Sequence, residues 1–273
     1  MSTAPPRELA AGKLLFDRPA EHVARLTISN PAKRNALDHA ILDAIAATLR
    51  ELAAAGEARC VIVTGSHGMF SAGYAIGEIT DGRFQEEAER LVAHPFTEAI
   101  EALESHPFPT LAALPGHTIG GGLELALACD LRLAAEGIQL GMPPAKLGLV
   151  YSHTGLRRFL DAIGVTRTRE LFLLGSYIDA ATALHWGLVN RLAPAADFES
   201  ATLALAGELA ANAPLSQIGN KRVIAALIRA HSGLSEEVEA ELIELRRASF
   251  ASRDLREGMS AFAEKRPPRW HGE

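Results

Sequence analysis

Gly116-His-Thr-Ile-Gly-Gly-Gly-Leu-Glu-Leu-Ala-Leu-Ala-Cys-Asp130 decides the reading of this chain. Three successive glycines open an apolar helix, where unpaired N–H groups and the positive end of the helix dipole favour developing negative charge. No Gly-Lys-Ser/Thr follows, so this is not a phosphate loop, and the G-x-G-x-x-G spacing of a dinucleotide fingerprint is missing. Glu124 falls in the first turn of the helix, between Leu123 and Leu125. A carboxylate at a helix start is ordinary by itself. Directly behind a triple glycine, the reading preferred is a general acid or base in a dry pocket.

Outward from this turn, the pattern alternates. Thr110 to Leu114 precedes it as a short buried strand after a helix over Phe96 to Leu103, and Asp130 to Ala134 follows as another strand. Upstream, Leu14 to Phe16 and Val23 to Ile28 read as strands. A helix begins at Asp38, a side chain suited to cap it, and buries Ile41, Leu42, Ile45, Leu49 and Leu52 at three-to-four spacing. Cys60 to Thr64 is a continuous apolar strand. It runs into a second turn of small residues, Ser71-Ala-Gly73, where a ligand can approach the backbone and amides are left to donate. Alternating strands and helices imply right-handed crossovers and a mostly parallel sheet. From about Gly155 helical patterns dominate, over 167–174, 180–186, 198–210, 214–229 and 234–250. The expected organisation is an α/β core over 1–195 and a helical, oligomerising region over 196–273.

The formal net charge is −6, which gives no general attraction to nucleic acid or anionic lipid. Cys60 and Cys129 are the only cysteines. Without C-x-x-C spacing they read as small core residues, and no metal site or disulfide is indicated. The first residues lack the pattern of a secretory signal, and no apolar run approaches ~20 residues. A cytoplasmic protein with no nucleic-acid or membrane partner is expected.

Taken together, several motifs resemble the crotonase (enoyl-CoA hydratase/isomerase) family over nearly the whole chain. They are Asn30-Pro-Ala-Lys-Arg-Asn-Ala-Leu37, Phe70-Ser-Ala-Gly-Tyr74, Gly120-Gly-Gly-Leu-Glu124 with Cys129-Asp130, Ala181 to Val189, and Ser252 to Lys265. The resemblance implies a crotonase-like spiral of ββα units with a helical C-terminal region, assembled as a homotrimer or hexamer. It implies an acyl-CoA substrate, with coenzyme A entering as part of that substrate and no separate cofactor. It also implies an oxyanion hole made by the backbone N–H groups of Tyr74 and Gly121, a preorganised donor pair of the kind that is often the largest single catalytic contribution. Segments 32–35 and 72–76 would line the coenzyme A site through Lys33, Arg34, Ala72 and Ile76, with Lys265 from the C-terminal helix.

One motif departs from the family. Hydratases that the chain resembles place two glutamates around one water; the first matches Glu124, and the second is replaced by Pro144 in Leu140-Gly-Met-Pro-Pro144. Proline cannot exchange a proton, so two-carboxylate hydration is not expected. Met142, Pro144 and Leu147-Gly148-x-x-Tyr151 resemble instead the methylmalonyl-CoA decarboxylase branch, where Tyr151 would orient a departing carboxylate. The sequence leaves three functions open: an enolate-forming acyl-CoA enzyme (lyase, isomerase or decarboxylase), a hydratase with an atypical second proton-transfer group, and a non-catalytic acyl-CoA-binding protein. His153, in a turn, reads as structural, and His117 as a loop donor.

Overall fold

The computed structural model describes residues 5–75, 92–230 and 233–270. Eleven named strands lie in this described part: β1 (Arg7–Leu9), β2 (Leu14–Ala20), β3 (Val23–Ile28), β4 (Cys60–Gly65), β5 (Met69–Ser71), β6 (Thr110–Leu114), β7 (His117–Ile119), β8 (Leu131–Ala135), β9 (Gln139–Gly141), β10 (Tyr177–Asp179) and β11 (Arg191–Ala193). The helices are α1 (His39–Ala55), α2 (Thr97–Glu104), α3 (Gly121–Ala128), α4 (Pro144–Leu147), α5 (His153–Leu174), α6 (Ala180–Trp186), α7 (Phe198–Ala211), α8 (Pro214–Ala230), α9 (Glu236–Ala251) and α10 (Arg253–Glu264).

The main sheet runs β1-β2-β3-β4-β6-β8-β11, and a second runs β10-β9-β7-β5. From β3 onward neighbours in the main sheet are parallel, with Ile62 opposite Leu111 and Leu111 opposite Leu131. β1 and β2 are an antiparallel edge. The chain repeats one move: a strand in the main sheet, a three-residue strand in the second, then a helix. β6-β7-α3 is the clearest turn of this spiral, which is the crotonase-like architecture the resemblance implied. The corner between its two strands needs a residue without a side chain. A Cβ on Gly116 would sit 1.7 Å from the Gly68 carbonyl oxygen.

Local signals explain the larger elements. Asp38 caps α1 by accepting from Ile41 N at 3.0 Å, and the five residues expected on its buried face are at most 4% exposed. β4 and β6 are buried throughout their apolar runs because helices cover the sheet. Cys60 and Cys129 are both buried free thiols, pushed up to about 12 by burial and so unreactive at neutral pH. Helix α7, beyond residue 195, buries Phe198, Thr202, Leu205 and Ala206 and packs against the main sheet, whose packing therefore continues past that point. Lys221 of α8 reaches back as well, donating to Asp130 at 2.7 Å. The helix expected over 167–174 instead begins at His153 and is interrupted at Gly164, where φ is 73° and ψ 171°.

His106, 2% exposed, follows α2. Neither ring nitrogen makes a hydrogen bond of ordinary geometry, although the Leu49 backbone lies beside the ring. Burial, helped by the nearby Lys221 cation, pushes this imidazole down to about 4. A folded value below the unfolded one means that the unfolded chain binds more protons. The stabilisation is therefore complete above pH ~6.5 and lost as pH falls from there towards 4. That loss should be about 3 kcal/mol. Urea melts at pH 7 and 4.5 check it: His106→Leu should lose markedly less stability between the two than wild type, and equal losses would contradict the assignment.

Candidate active site

Two turns from distant parts of the chain meet at the start of α3. Gly73 (φ 97°) packs so closely there that a Cβ would lie 3.1 Å from the Ile119 carbonyl oxygen and 3.2 Å from the Gly121 nitrogen. Tyr74 forms a parallel bridge with Leu37, built from Leu37 N–H to the Gly73 carbonyl (2.8 Å) and Ala75 N–H to the Leu37 carbonyl (2.9 Å). That bridge uses the groups flanking Tyr74, so its own amide points to the opposite side of the segment. Gly121 is the first residue of α3, and its N–H is one of those a helix leaves unpaired. The Tyr74 ring lies over Gly121, where a Cβ would come within 2.8 Å of it, and packs edge-on against Phe96 at 4.8 Å. No side chain fits at position 121.

Glu124 projects from the first turn of α3, 2% exposed. The Tyr151 hydroxyl donates to its Oε2. The Tyr74 hydroxyl belongs to the same hydrogen-bonded cluster, within reach of both Glu124 and Tyr151. Arg158 of α5 completes it: Nη1 donates to Glu124 Oε1 at 3.2 Å, while Nε and Nη2 donate to Glu104 at 2.7 and 3.1 Å. Burial drives the Glu124 carboxyl upward, with the Arg158 cation and the two tyrosine hydroxyls acting against that rise. Both tyrosines are pushed well above their ordinary value, first by burial and then by the Glu124 charge, so they remain donors.

α5 brings Arg158 to Glu124, and the segment leading into α5 brings Tyr151. Ser152 caps it, its Oγ accepting from Gly155 N at 3.0 Å. At Gly155 the helix comes so near the cluster that a Cβ would lie 2.6 Å from the Tyr151 ring and 2.8 Å from Glu124 Oε1. The ring is also held edge-on by Phe172, 5.4 Å away. Sequence reading found Glu124 and Tyr151 but not Arg158, Glu104 or Gly155. An arginine–carboxylate pair 34 residues apart leaves no local pattern.

The other expected site residues divide. Lys33 ends a 3-10 turn (Pro31–Lys33), and Arg34 follows in the left-handed region at φ 51°. The Arg34 carbonyl accepts from Ala72 N at 3.0 Å, so the segments around 33–34 and 72 lie side by side. Asn35 locks that junction: its Nδ2 donates to the Ser66 and Met69 carbonyls at 3.0 and 2.8 Å. Ile76 lies outside the described residues. Lys265 caps the far end of α10, which packs on α4. Pro144 is buried and opens α4, a position that needs no N–H.

Two expectations need correction. His153 is not in a turn but is the first residue of α5, with Nε2 3.5 Å from a Glu239 carboxylate oxygen. His117 is not a loop donor: it lies in β7, and its Nδ1 accepts from Gln139 N at 2.9 Å. Glu124 and Tyr151 form one unit, since the tyrosine hydroxyl donates to the carboxylate. Among the described residues, no three His, Cys, Asp or Glu side chains cluster closely enough to hold a metal ion, and no helix is long and apolar enough to cross a membrane.

Comparison with known proteins gives the family and the fold. The family model described as Enoyl-CoA hydratase/isomerase matches residues 18–273. A probable enoyl-CoA hydratase of Bacillus subtilis (strain 168) is 35% identical over 258 residues, covering 93% of this chain and 96% of that protein. Among solved structures, a methylmalonyl-CoA decarboxylase in complex with 2-nitronate-propionyl-CoA superposes with a TM-score of 0.86 at 28% identity, covering 96% of this chain and 99% of that one. An enoyl-CoA hydratase from Mycobacterium avium subsp. paratuberculosis K-10 gives 0.80 at 25% identity, with 95% and 98% covered.

Proposed function

The chain belongs to the enoyl-CoA hydratase/isomerase family, and from that premise we propose that it removes CO2 from a malonyl-type acyl-CoA. The observation that carries this reading is the engagement of Glu124. The buried carboxylate at the mouth of α3 accepts from Tyr151 and pairs with Arg158, so both of its oxygens are already engaged by protein donors. Hydration in this family's manner calls for a second carboxylate, and Pro144 stands where it would be.

In the proposed step the bond between the α-carbon and the carboxylate breaks. Its electron pair becomes the thioester enolate, CO2 leaves, and the α-carbon then takes a proton from water. The amides of Tyr74 and Gly121 receive the enolate oxygen, with the dipole of α3 behind them. Tyr151 positions the departing carboxylate on the Glu124 side. Negative charge thus moves from beside an anion to beside two donors, which favours the transition state over the bound substrate. Coenzyme A would lie along 32–35 and 72–76, with Lys33 or Arg34 near its phosphates, Ala72 and Ile76 against it, and Lys265 as a further cation. No cofactor beyond the substrate's own coenzyme A enters this step.

A second reading, hydration, is favoured by one observation: burial raises the Glu124 carboxyl towards the range where it can carry a proton. A panel of methylmalonyl-, ethylmalonyl- and crotonyl-CoA, with products read by mass spectrometry, separates the two. Loss of CO2 from the first two is expected. Brisk water addition to crotonyl-CoA with no decarboxylation would overturn the proposal, and no turnover at all would favour a non-catalytic acyl-CoA-binding protein. The exposed apolar side chains of α8, among them Leu215 (86%), Val223 and Ile224 (both 58%), support a homotrimer or hexamer. Light scattering on the same preparation should therefore give a multiple of the 29.1 kDa chain, and a monomer at micromolar concentration would contradict it.

A further inference from the structure

Arg158 holds two carboxylates at once, one inside the site and one at its rim. The Glu124 side chain is 3% exposed and the Glu104 side chain 45%, with Arg158 between them at 19%. The outer grip is a two-point one, Nε and Nη2 on the two oxygens of Glu104. The inner contact uses Nη1 alone, which also donates to the Thr154 carbonyl at 3.0 Å. A planar guanidinium held at both edges cannot turn without breaking several charge-assisted bonds.

We propose that Arg158, braced by Glu104, is a positioning residue that keeps the Glu124 carboxylate charged and turned to the Tyr151 hydroxyl. The site then presents an anion rather than an acid to the acyl group. This deepens the decarboxylase reading and rests on it for its catalytic meaning. A carboxylate taken out of water neutralises unless a cation and hydrogen-bond donors compensate. Here Arg158 is the largest opposing influence, ahead of the Tyr151 and Tyr74 hydroxyls, and Glu104 works in the other direction. Beyond these, Arg246 of α9 bears on the Tyr74 hydroxyl, and the His153–Glu239 contact lies at the start of α5. Protonating Glu124 on Oε1 would set an O–H against the Arg158 N–H, and on Oε2 would force the Tyr151 hydroxyl to turn from donor to acceptor. Only the charged form accepts from both groups as they stand. A charged Glu124 cannot protonate an enolate, and it repels an α-carboxylate that loses its charge as CO2 departs.

The test needs no substrate. Protein labelled with 13C at the glutamate side-chain carboxyl is titrated by NMR, and the Glu124 resonance is the one missing from Glu124→Gln. Arg158→Met should raise its midpoint by about one pH unit or more. Arg158→Lys should restore part of that shift. Glu104→Gln keeps an oxygen for Arg158 but drops the outer charge, so it should lower the midpoint. That variant changes a half-exposed side chain and keeps the test open if Arg158→Met fails to fold. A midpoint unmoved in folded Arg158→Met, or raised in Glu104→Gln, would overturn the proposal. The pH profile of kcat/KM on methylmalonyl-CoA should shift in the same directions. If the carboxyl titrates as stated but methylmalonyl-CoA is untouched, the decarboxylase reading fails and the positioning role stands. Turnover combined with a static midpoint means that the positioning role fails and the decarboxylase reading stands.

Discussion

Tyr151→Phe should lower kcat for decarboxylation of methylmalonyl-CoA by about 10²–10³-fold, the cost of losing one preorganised donor in a dry site. In the structure the hydroxyl removed donates to Glu124 Oε2; in the proposed step its one proton would turn to the departing carboxylate. Phenylalanine therefore leaves a buried carboxylate short of a donor, a situation that costs ~1–3 kcal/mol or more for a charged group. Glu124→Gln disturbs the same contact from the other end. An amide can keep its oxygen on Arg158 only by donating its NH2 to the Tyr151 oxygen, which reverses that contact; the other orientation sets NH2 against the arginine, donor against donor. The two substitutions should consequently be non-additive, with the double variant little worse than the poorer single one. A steady-state comparison of all four proteins checks this. Independent, multiplying losses would mean that Tyr151 and Glu124 act on separate steps. If the reaction is hydration, Glu124→Gln alone should cost about 10²–10⁴-fold and exceed the tyrosine effect.

Gly155→Ala is the smallest change expected to disable the site. Its new methyl would press on the Tyr151 ring at 2.6 Å and on Glu124 Oε1 at 2.8 Å. Neither neighbour can withdraw easily, since Phe172 backs the ring and Arg158 holds the carboxylate. Overpacking of this kind costs about 1–3 kcal/mol of stability. The larger effect should be on turnover, because displacing reacting groups by about 1 Å is enough for a roughly 10²-fold loss. Thermal melts together with kcat on methylmalonyl-CoA test it. A folded Gly155→Ala protein with undiminished kcat would show that Tyr151 and Glu124 need not keep their mutual contact for the reaction.

The same site shows why some groups are legible in a sequence and others are not. Glu124 and the amide of Gly121 announce themselves because a triple glycine, a helix start and a carboxylate fall within five residues. Arg158 reads as one more charge on the polar side of α5. Its role comes from reaching Glu104, 54 residues away, as well as Glu124. Gly155 likewise has no special backbone angle to mark it, and its necessity lies in the ring and carboxylate that α5 presses against.

By itself the sequence determined what depends on neighbours a few residues apart. The buried face of α1 and its Asp38 cap, the buried apolar strands β4 and β6, and the two glycine turns all follow from local spacing, backbone freedom and capping chemistry. The three-residue strands β5, β7, β9 and β10 were beyond it, since so short a run has no period to recognise and exists only because another edge pairs with it. The two glycine turns were visible one at a time, but only the spiral set Gly73 against Gly121. The charge environment of Glu124 was likewise a decision of the tertiary structure. Burial, a cation from α5 and hydroxyls from two separate segments act on that carboxylate together, and electrostatic energy depends on distance in space rather than along the chain.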